Sequence, residues 1–313
     1  MKFLMFRGSV PQDRPDSEIK FNSIDESDCI YEHLAYHMGD EFCEIVYWNG
    51  NGREKWYSDK CVVRWVKDIK KYKPMKKPDV IFNRGGFKEP LDYIKANPKI
   101  YSIRYGAGKR YMPEPGIPYS LSLHDDIGTL QSTLELFRNI RCELWLKPVH
   151  PWFRRMDVKK LYDVAFVGNA GQSKIKGVKF VYKTSPKTIS ILHLGTKPKY
   201  KCPPNITRKR VLRKEMPVLL NRCKIGIVPY SHVDGAPRAM TEMVACGLPV
   251  IAFKGVRSIV QHARVNKEDF WREVDYALKD MVYIGMPTVQ NLSIESCVKK
   301  LRSIINGNAK KDC

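Results

Sequence analysis

The chain contains 313 residues, 43% of them hydrophobic, and its 55 Lys and Arg against 33 Asp and Glu give a formal net charge of +22. This length suffices for two domains of ordinary size, and the lack of any apolar run near 18 residues excludes helices that span a membrane. Nine cysteines without metal-ligand spacing, and an apolar amino terminus too short for a signal peptide, predict a cytoplasmic protein with reduced thiols. The excess of positive charge predicts a polyanionic partner.

The first half of the sequence alternates strand and helix patterns. Apolar runs predict strands at residues 2–6, 44–48, 79–82, 100–105, 119–123 and 143–146. Helical spacing predicts helices at 62–72 and 127–139, and Ser23 with Glu26 forms a capping box for a helix at 25–38. Gly8, Gly85 and Gly106 follow three of the strands closely, so either a ligand approaches the sheet there or these are ordinary turns.

A proline-rich break at residues 148–162 separates this half from a second one. Strands are predicted there at 163–168, 189–194, 225–228 and 250–253, with a short helix at 217–223. Ser293 can cap a last amphipathic helix at about 294–305. The predicted organisation is a domain of residues 1–150, a second domain of residues 151–290 and a carboxy-terminal helix within 291–313.

The segment 228–253 carries the strongest functional pattern. A buried strand ends before Pro229, and a helix is predicted to begin at Pro237, whose ring suits a first helical position. The loop between them lies beyond the carboxyl end of a strand, where α/β sheets bind ligands, and the helix start favours a phosphate or pyrophosphate. The predicted contacts are Tyr230, Ser231, Gly235, Ala236, Pro237 and Arg238.

Two carboxylates flank this helix start. Asp234 lies in the loop and Glu242 in the second helical turn, about 10 Å apart along a helix that rises about 1.5 Å per residue. Each could bind the hydroxyl groups at one end of a nucleotide diphosphate sugar. The alternative is that Asp234 only caps the helix and Glu242 lies on a solvated face.

The run 218–253 resembles the donor-site motif of retaining glycosyltransferase family 4, a family with the GT-B fold. That motif has an acidic residue, seven intervening residues and a Glu, followed here by Ala245-Cys246-Gly247-Leu248-Pro249-Val250. Asp234 stands where the family usually has Glu, and it is one methylene shorter. The resemblance implies an α/β protein with two doubly wound, Rossmann-like domains facing across a cleft, the first on the acceptor side and the second binding a nucleotide sugar.

The resemblance also implies roles for individual residues. Glu242 would hold the ribose hydroxyls and Asp234 the transferred sugar of a UDP-sugar such as UDP-glucose, with no metal or other cofactor. Lys174 or Lys176 would bind the diphosphate, while Gly8 and Gly168 would lie close to it. The family commonly has an Arg where this chain has Asn169, and the final helix of GT-B proteins often crosses back onto the first domain.

No clear general base is present in the sequence. The His that the family commonly has after the strand ending at Tyr105 is missing, and His124 with Asp125 or Asp126 is the nearby alternative. A carboxylate base would imply inversion at the anomeric carbon, whereas the family resemblance implies retention.

Basic and aromatic residues interleave in the first domain, a pattern typical of phosphate binding and base stacking. The candidate acceptor contacts are Arg84, Arg104, Tyr105, Lys109 and Arg110, and Trp152-Phe153-Arg154-Arg155 shows the same pattern. The sequence thus predicts a hexosyltransferase that modifies hydroxymethylated pyrimidines in DNA, as phage enzymes do, by extruding the target base. The alternatives are a glycan or lipid acceptor, with peripheral contact to a membrane, and a catalytically silent protein that binds nucleotide or DNA.

Overall fold

The computed structural model describes most of the chain. The described residues are 1–9, 23–27, 29–48, 50–84, 89–105, 113–125, 127–169, 176–230, 237–256, 263–280 and 292–309. They form two compact units: unit 1 comprises Met1–Pro148 and Ile294–Cys313, and unit 2 comprises Val149–Ser293.

An eight-stranded sheet forms the centre of unit 1. Its strands are β1 (Lys2–Ser9), β2 (Phe42–Trp48), β3 (Glu54–Ser58), β4 (Cys61–Val66), β5 (Val80–Arg84), β6 (Tyr101–Tyr105), β7 (Leu121–His124) and β8 (Arg141–Leu144). They lie in the order β3-β4-β2-β1-β5-β6-β7-β8. All neighbours pair in parallel except the edge strand β3, which is antiparallel to β4.

Helices cover this sheet, and the last helix of the chain is one of them. The helices of unit 1 are α1 (Ile30–Met38), α2 (Glu89–Ala96), α3 (Ile127–Leu136) and the helix Ile294–Ala309, which is α8 in chain order. Leu34 and Met38 of α1 share a buried cluster with Cys297 and Leu301 of α8. The apolar face of α8 is therefore buried within unit 1.

The predicted strands of unit 1 are confirmed with small shifts at their ends, but two helix predictions fail. Residues 62–72 were expected to be helical, yet Val62 and Val63 are buried residues of β4. Branched side chains fit a pleated sheet, and a short apolar run does not distinguish strand from helix. The helix expected at 25–38 is divided, because Ser23 Oγ accepts from the N–H of Asp25 (3.2 Å) to cap a 3₁₀ turn, and α1 begins only at Ile30.

Unit 2 contains a six-stranded, fully parallel sheet. Its strands are β9 (Tyr162–Val167), β10 (Ile191–Leu194), β11 (Ile206–Lys209), β12 (Cys223–Val228), β13 (Val250–Phe253) and β14 (Ala263–Val265), in the order β11-β10-β9-β12-β13-β14. Numbered within the unit this order is 3-2-1-4-5-6, the doubly wound dinucleotide-binding order. The helices are α4 (Val178–Thr184), α5 (Met216–Asn221), α6 (Arg238–Ala245) and α7 (Phe270–Lys279).

The sequence patterns located β9, β10, β12, β13 and α5 correctly. They missed the short strands β11 and β14 and the helices α4 and α7. In the described parts of the chain, no helix combines the length and the apolar character needed to cross a membrane.

Candidate functional site

The sheet of unit 2 changes winding direction between β9 and β12. From these two neighbouring strands the sheet continues through β10 and β11 on one side and through β13 and β14 on the other. Ligands of such sheets bind beyond the carboxyl ends of the strands at this switch point. The hydroxyl of Tyr230, just after β12, donates to the carbonyl of Val167 at the end of β9 (2.7 Å) and so joins the two strand ends.

A buried histidine fixes the backbone directly after β9. His193 Nε2 lies 2.7 Å from the carbonyl oxygen of Gly168, and since a carbonyl can only accept, Nε2 carries the proton. His193 Nδ1 then accepts from the hydroxyl of Tyr182 (2.8 Å). Burial lowers the pKa of His193, so the ring stays neutral and holds the Gly168 carbonyl in place.

The start of α4 lies against Pro229, just after β12. Gly177, the residue before α4, has φ +69, and a Cβ there would lie 2.2 Å from the carbonyl oxygen of Pro229. Only glycine allows this approach. The preceding residue, Lys176, places its Nζ 4.2 Å from the ring centre of Tyr230, a cation–π contact at the switch point.

Helix α6 brings a buried carboxylate to this region. Gly226 of β12 lets α6 pack closely, because a Cβ there would lie 2.5 Å from Met243 Sδ. Glu242 of α6 is only 4% exposed, and its Oε1 accepts from Arg213 Nη2 at 2.7 Å. The guanidinium of Arg213 lies 5.6 Å from the ring centre of Phe153. Glu242 also helps to raise the pKa of Tyr230, after the larger effect of burial.

Of the described residues predicted to bind the donor, all but Gly8 lie in unit 2; Gly8 lies in β1 of unit 1. The alternative that Glu242 lies on a solvated face is wrong, because the side chain is buried and paired. Pro237 is the N-cap residue of α6 and not its first helical residue, so the helix begins at Arg238, one residue later than predicted. Arg238 is exposed. Predicted residues outside the described part are Lys174, Ser231, Asp234, Gly235 and Ala236.

The alternative general base lies in the interior of unit 1. His124 is fully buried, its Nε2 is 2.9 Å from Ser122 Oγ, and burial together with Arg104 lowers its pKa to about 4. Asp125 is also fully buried; its Oδ2 accepts from the hydroxyl of Tyr105 (3.2 Å) and lies 3.6 Å from Lys147 Nζ. These positions argue against either group taking a proton from a bound acceptor. Asp126 lies outside the described residues.

Two of the predicted acceptor contacts are also internal. Arg104 has 0% exposure, with its Nε 3.7 Å from a carboxylate oxygen of Glu114, and Tyr105 is buried. Their placement does not favour contact with a surface polyanion. Arg84 ends β5 and is partly exposed, and Gly8 lies near the end of β1. Lys109 and Arg110 lie outside the described residues.

Arg213, His193 and Gly177 were missed as site residues. Arg213 follows β11 in a 3₁₀ turn, 29 positions before its partner, so no local spacing links it to Glu242. The Lys176-Gly177 pair was a usable signal, since a glycine before a helix allows a left-handed backbone. Within the described ranges, no group of three or more His, Cys, Asp or Glu side chains could hold a metal ion.

Comparisons with known proteins bear on the fold. No family model matches the sequence, and no curated protein matches it significantly. Sucrose-phosphate synthase from Thermosynechococcus elongatus aligns over 99% of both chains, with a TM-score of 0.69 and 9% identity. Anabaena HepE in complex with UDP and glucose aligns over 98% of this chain and 100% of its own (TM-score 0.62, 10% identity). A glycosyltransferase from Rickettsia africae aligns over 97% of both chains (TM-score 0.62, 10% identity). The chain therefore has the GT-B architecture of two Rossmann-like domains.

Proposed function

We propose that this chain is a glycosyltransferase that moves one hexosyl group from a UDP-sugar to an acceptor hydroxyl. The observation that carries the proposal is the buried Glu242 carboxylate, oriented by Arg213 at the switch point of unit 2. HepE, one of the structures similar to this chain, was solved with UDP and with UDP-glucose. UDP-glucose is therefore the first donor to test.

Each residue of the unit 2 site has a distinct role in this proposal. A carboxylate only accepts hydrogen bonds, so Glu242 suits the ribose hydroxyls, and Arg213 fixes the orientation of its Oε1. Lys176, with Lys174 as the alternative, and the first N–H groups of α6 would bind the diphosphate. Negative charge grows on the diphosphate as it leaves, so fixed positive charge and dipoles there lower the barrier. Asp234 would hold the transferred sugar.

We infer that the reaction retains the anomeric configuration. An inverting enzyme needs a base at the acceptor hydroxyl, and the two described candidates, His124 and Asp125, are fully buried in unit 1. The anomer of the product, determined by NMR, tests this inference. A product of inverted configuration would refute it.

For the acceptor, a hydroxymethylated pyrimidine in DNA is the first candidate. The support comes from a surface that we call the basic edge, residues 53–77, with ten basic residues against three acids. Its exposed basic side chains are Arg53, Lys60, Lys67, Lys70, Lys71, Lys73, Lys76 and Lys77, and Trp56 is 44% exposed among them. Binding to phosphates by such a surface weakens with added salt. An electrophoretic mobility shift assay with duplex DNA tests this. If the protein does not shift the DNA even at low salt, a glycan or lipid acceptor is the better candidate.

A reducing compartment suits the free thiols of this chain, and we propose the cytoplasm. All eight described cysteines have free thiols. Cys43 and Cys61, with sulfur atoms 3.0 Å apart, remain unbridged on neighbouring strands. Disulfides are rare in cytosolic proteins.

Release of UDP from UDP-glucose is the decisive measurement. Glu242→Gln keeps the shape of the side chain but removes its charge, and should lower UDP release at least a hundredfold. Glu268→Gln changes an exposed acid of the same unit and should have no effect. If wild type releases no UDP with any donor or acceptor and yet binds UDP, the silent nucleotide-binding alternative replaces this proposal.

A further inference from the structure

Unit 1 has its own switch point, which the donor site does not use. β2 and β4 lie on one side of β1, and β5 to β8 lie on the other. The carboxyl ends of β1 and β5 are therefore the expected ligand position in this sheet. Arg7 lies near the end of β1, and Arg84 is the last residue of β5.

The two arginines converge on one aromatic ring. The guanidinium carbon of Arg7 lies 4.4 Å from the ring centre of Tyr31, and that of Arg84 lies 4.8 Å from the same centre. Tyr31 belongs to α1 and is buried. The register between β1 and β2 shifts between Phe6 and Gly8, so Arg7 is the residue that the pairing skips. Such irregularities commonly redirect a side chain near a functional site.

The positive charge here is not neutralised by a described acid. Neither Arg7 nor Arg84 forms a salt bridge with a described residue, and the Nε and Nη1 atoms of Arg7 are buried without a hydrogen-bond partner there. Buried N–H groups of a charged side chain are costly unless they are paired. An anion that accepts from these N–H groups would remove this cost.

The nearby acids are committed to other groups. Glu32 of α1 accepts from the hydroxyls of Ser27 and Tyr47 (2.7 Å each) and from that of Tyr57. Asp125 accepts from Tyr105 and lies beside Lys147. Among the described residues, neither of these carboxylates forms a salt bridge with Arg7 or Arg84.

We infer that Arg7 and Arg84 form a phosphate-binding site at the switch point of unit 1, and that the acceptor carries the phosphate. The identification with the acceptor rests on the proposed glycosyltransferase function, whereas the phosphate site itself does not. Planar guanidinium groups bind phosphate oxygens in pairs, which makes arginine the preferred side chain for this ligand.

Titration calorimetry with inorganic phosphate at constant ionic strength tests the site. Wild type should show a saturable site, and Arg84→Gln should weaken it at least tenfold. Arg138→Gln removes the same charge from an exposed position of unit 1 that lies outside the basic edge, and should leave phosphate binding unchanged. Equal phosphate affinity in wild type and Arg84→Gln would overturn the inference, as would the lack of any saturable binding up to about 10 mM, the millimolar end of ordinary ligand affinities.

Peptide mapping gives a second readout that does not depend on a variant. Phenylglyoxal modifies accessible arginines, and phosphate should protect Arg84 but not the exposed Arg138. If Glu242→Gln loses UDP-glucose binding but keeps its phosphate affinity, the donor site of unit 2 and the phosphate site of unit 1 are independent. If UDP-glucose never binds but phosphate protects Arg84, the proposed function fails while the phosphate site stands.

The source of the phosphate can be separated by competition. A hexose monophosphate and a short single-stranded oligonucleotide are each added to the phosphate titration of wild type. The compound that displaces phosphate, and that Arg84→Gln binds at least tenfold more weakly, identifies a phosphorylated sugar or a phosphodiester as the acceptor group. Displacement that is equal in Arg84→Gln and wild type would contradict the assignment of the acceptor to this site.

Discussion

The two sheets each reverse their winding direction at a switch point, but they present different chemistry there. In unit 2 the buried Glu242 carboxylate forms an ion pair with the Arg213 guanidinium group, and Lys176 lies over Tyr230. In unit 1 Arg7 and Arg84 lie over one tyrosine, without an acid partner among the described residues. A site with both signs of charge suits a ligand that has both hydroxyls and phosphates, whereas a purely cationic site suits an anion alone. The same fold is thus equipped for two different ligands.

The largest expected effect is at the backbone of unit 2. Gly177→Ala would place a Cβ 2.2 Å from the Pro229 carbonyl oxygen in a backbone of φ +69. Left-handed strain and overpacking together should cost about 3–4 kcal/mol of unfolding free energy. Urea denaturation measures this loss, and UDP-glucose binding should disappear because Lys176 and Tyr230 move apart.

Gly116 is the matched control in unit 1. It has φ +75, but a Cβ there would have no atom within 4 Å. Gly116→Ala should therefore cost only about 1 kcal/mol, from backbone strain alone. Equal losses for the two variants would mean that a Cβ at position 177 does not clash with the Pro229 carbonyl.

The sequence predicted the elements around these sites better than the contacts that hold them. Apolar runs located β9, β12 and β13, and the spacing of Met240, Met243 and Val244 located α6, since each pattern is local. The Arg213–Glu242 pair joins residues 29 positions apart and depends on where β11 ends. Arg104 shows the opposite error: a basic residue beside an aromatic looked like surface, yet its strand is internal to the sheet.

Each unit contains a buried histidine that couples its stability to pH. Burial and Arg104 lower the pKa of His124 in unit 1 to about 4, while an unfolded histidine titrates near 6.5. Between these values the unfolded chain binds more protons than the folded one. Stability is thus fully present above pH 6.5 and is lost as the pH falls towards 4, by up to about 3 kcal/mol.

Variants at His124 and His193 test this pH dependence of stability. His124→Gln should make the stability curve less steep between pH 6.5 and 4, measured by urea denaturation at a series of pH values. The contribution of His33, whose pKa burial also lowers, should remain. His193→Gln should flatten the curve less, because the Gly168 carbonyl favours the protonated ring and partly offsets burial. If His124→Gln leaves the slope unchanged, His124 is not the group responsible for it.

A double-mutant cycle measures the coupling free energy of the Arg213–Glu242 ion pair in unit 2. Arg213→Met and Glu242→Gln each remove one charge of a pair whose side chains are 19% and 5% exposed. Partial exposure of Arg213 weakens the coupling, so we expect about 2 kcal/mol rather than the larger values of fully buried pairs. Additive losses in the double variant would show that the two side chains do not stabilise each other.

The smallest expected effect is at the hydroxyl that joins β9 to β12. Tyr230→Phe removes the donor to the Val167 carbonyl but keeps the ring under Lys176, so unfolding should become easier by about 1 kcal/mol. Tyr276→Phe is the control, because Tyr276 is 54% exposed and should tolerate the change. UDP-glucose affinity, measured by calorimetry, should fall by less than about fivefold, which is what a loss of this size produces. A much larger fall would mean that the Tyr230 hydroxyl binds the donor itself rather than aligning the two strand ends.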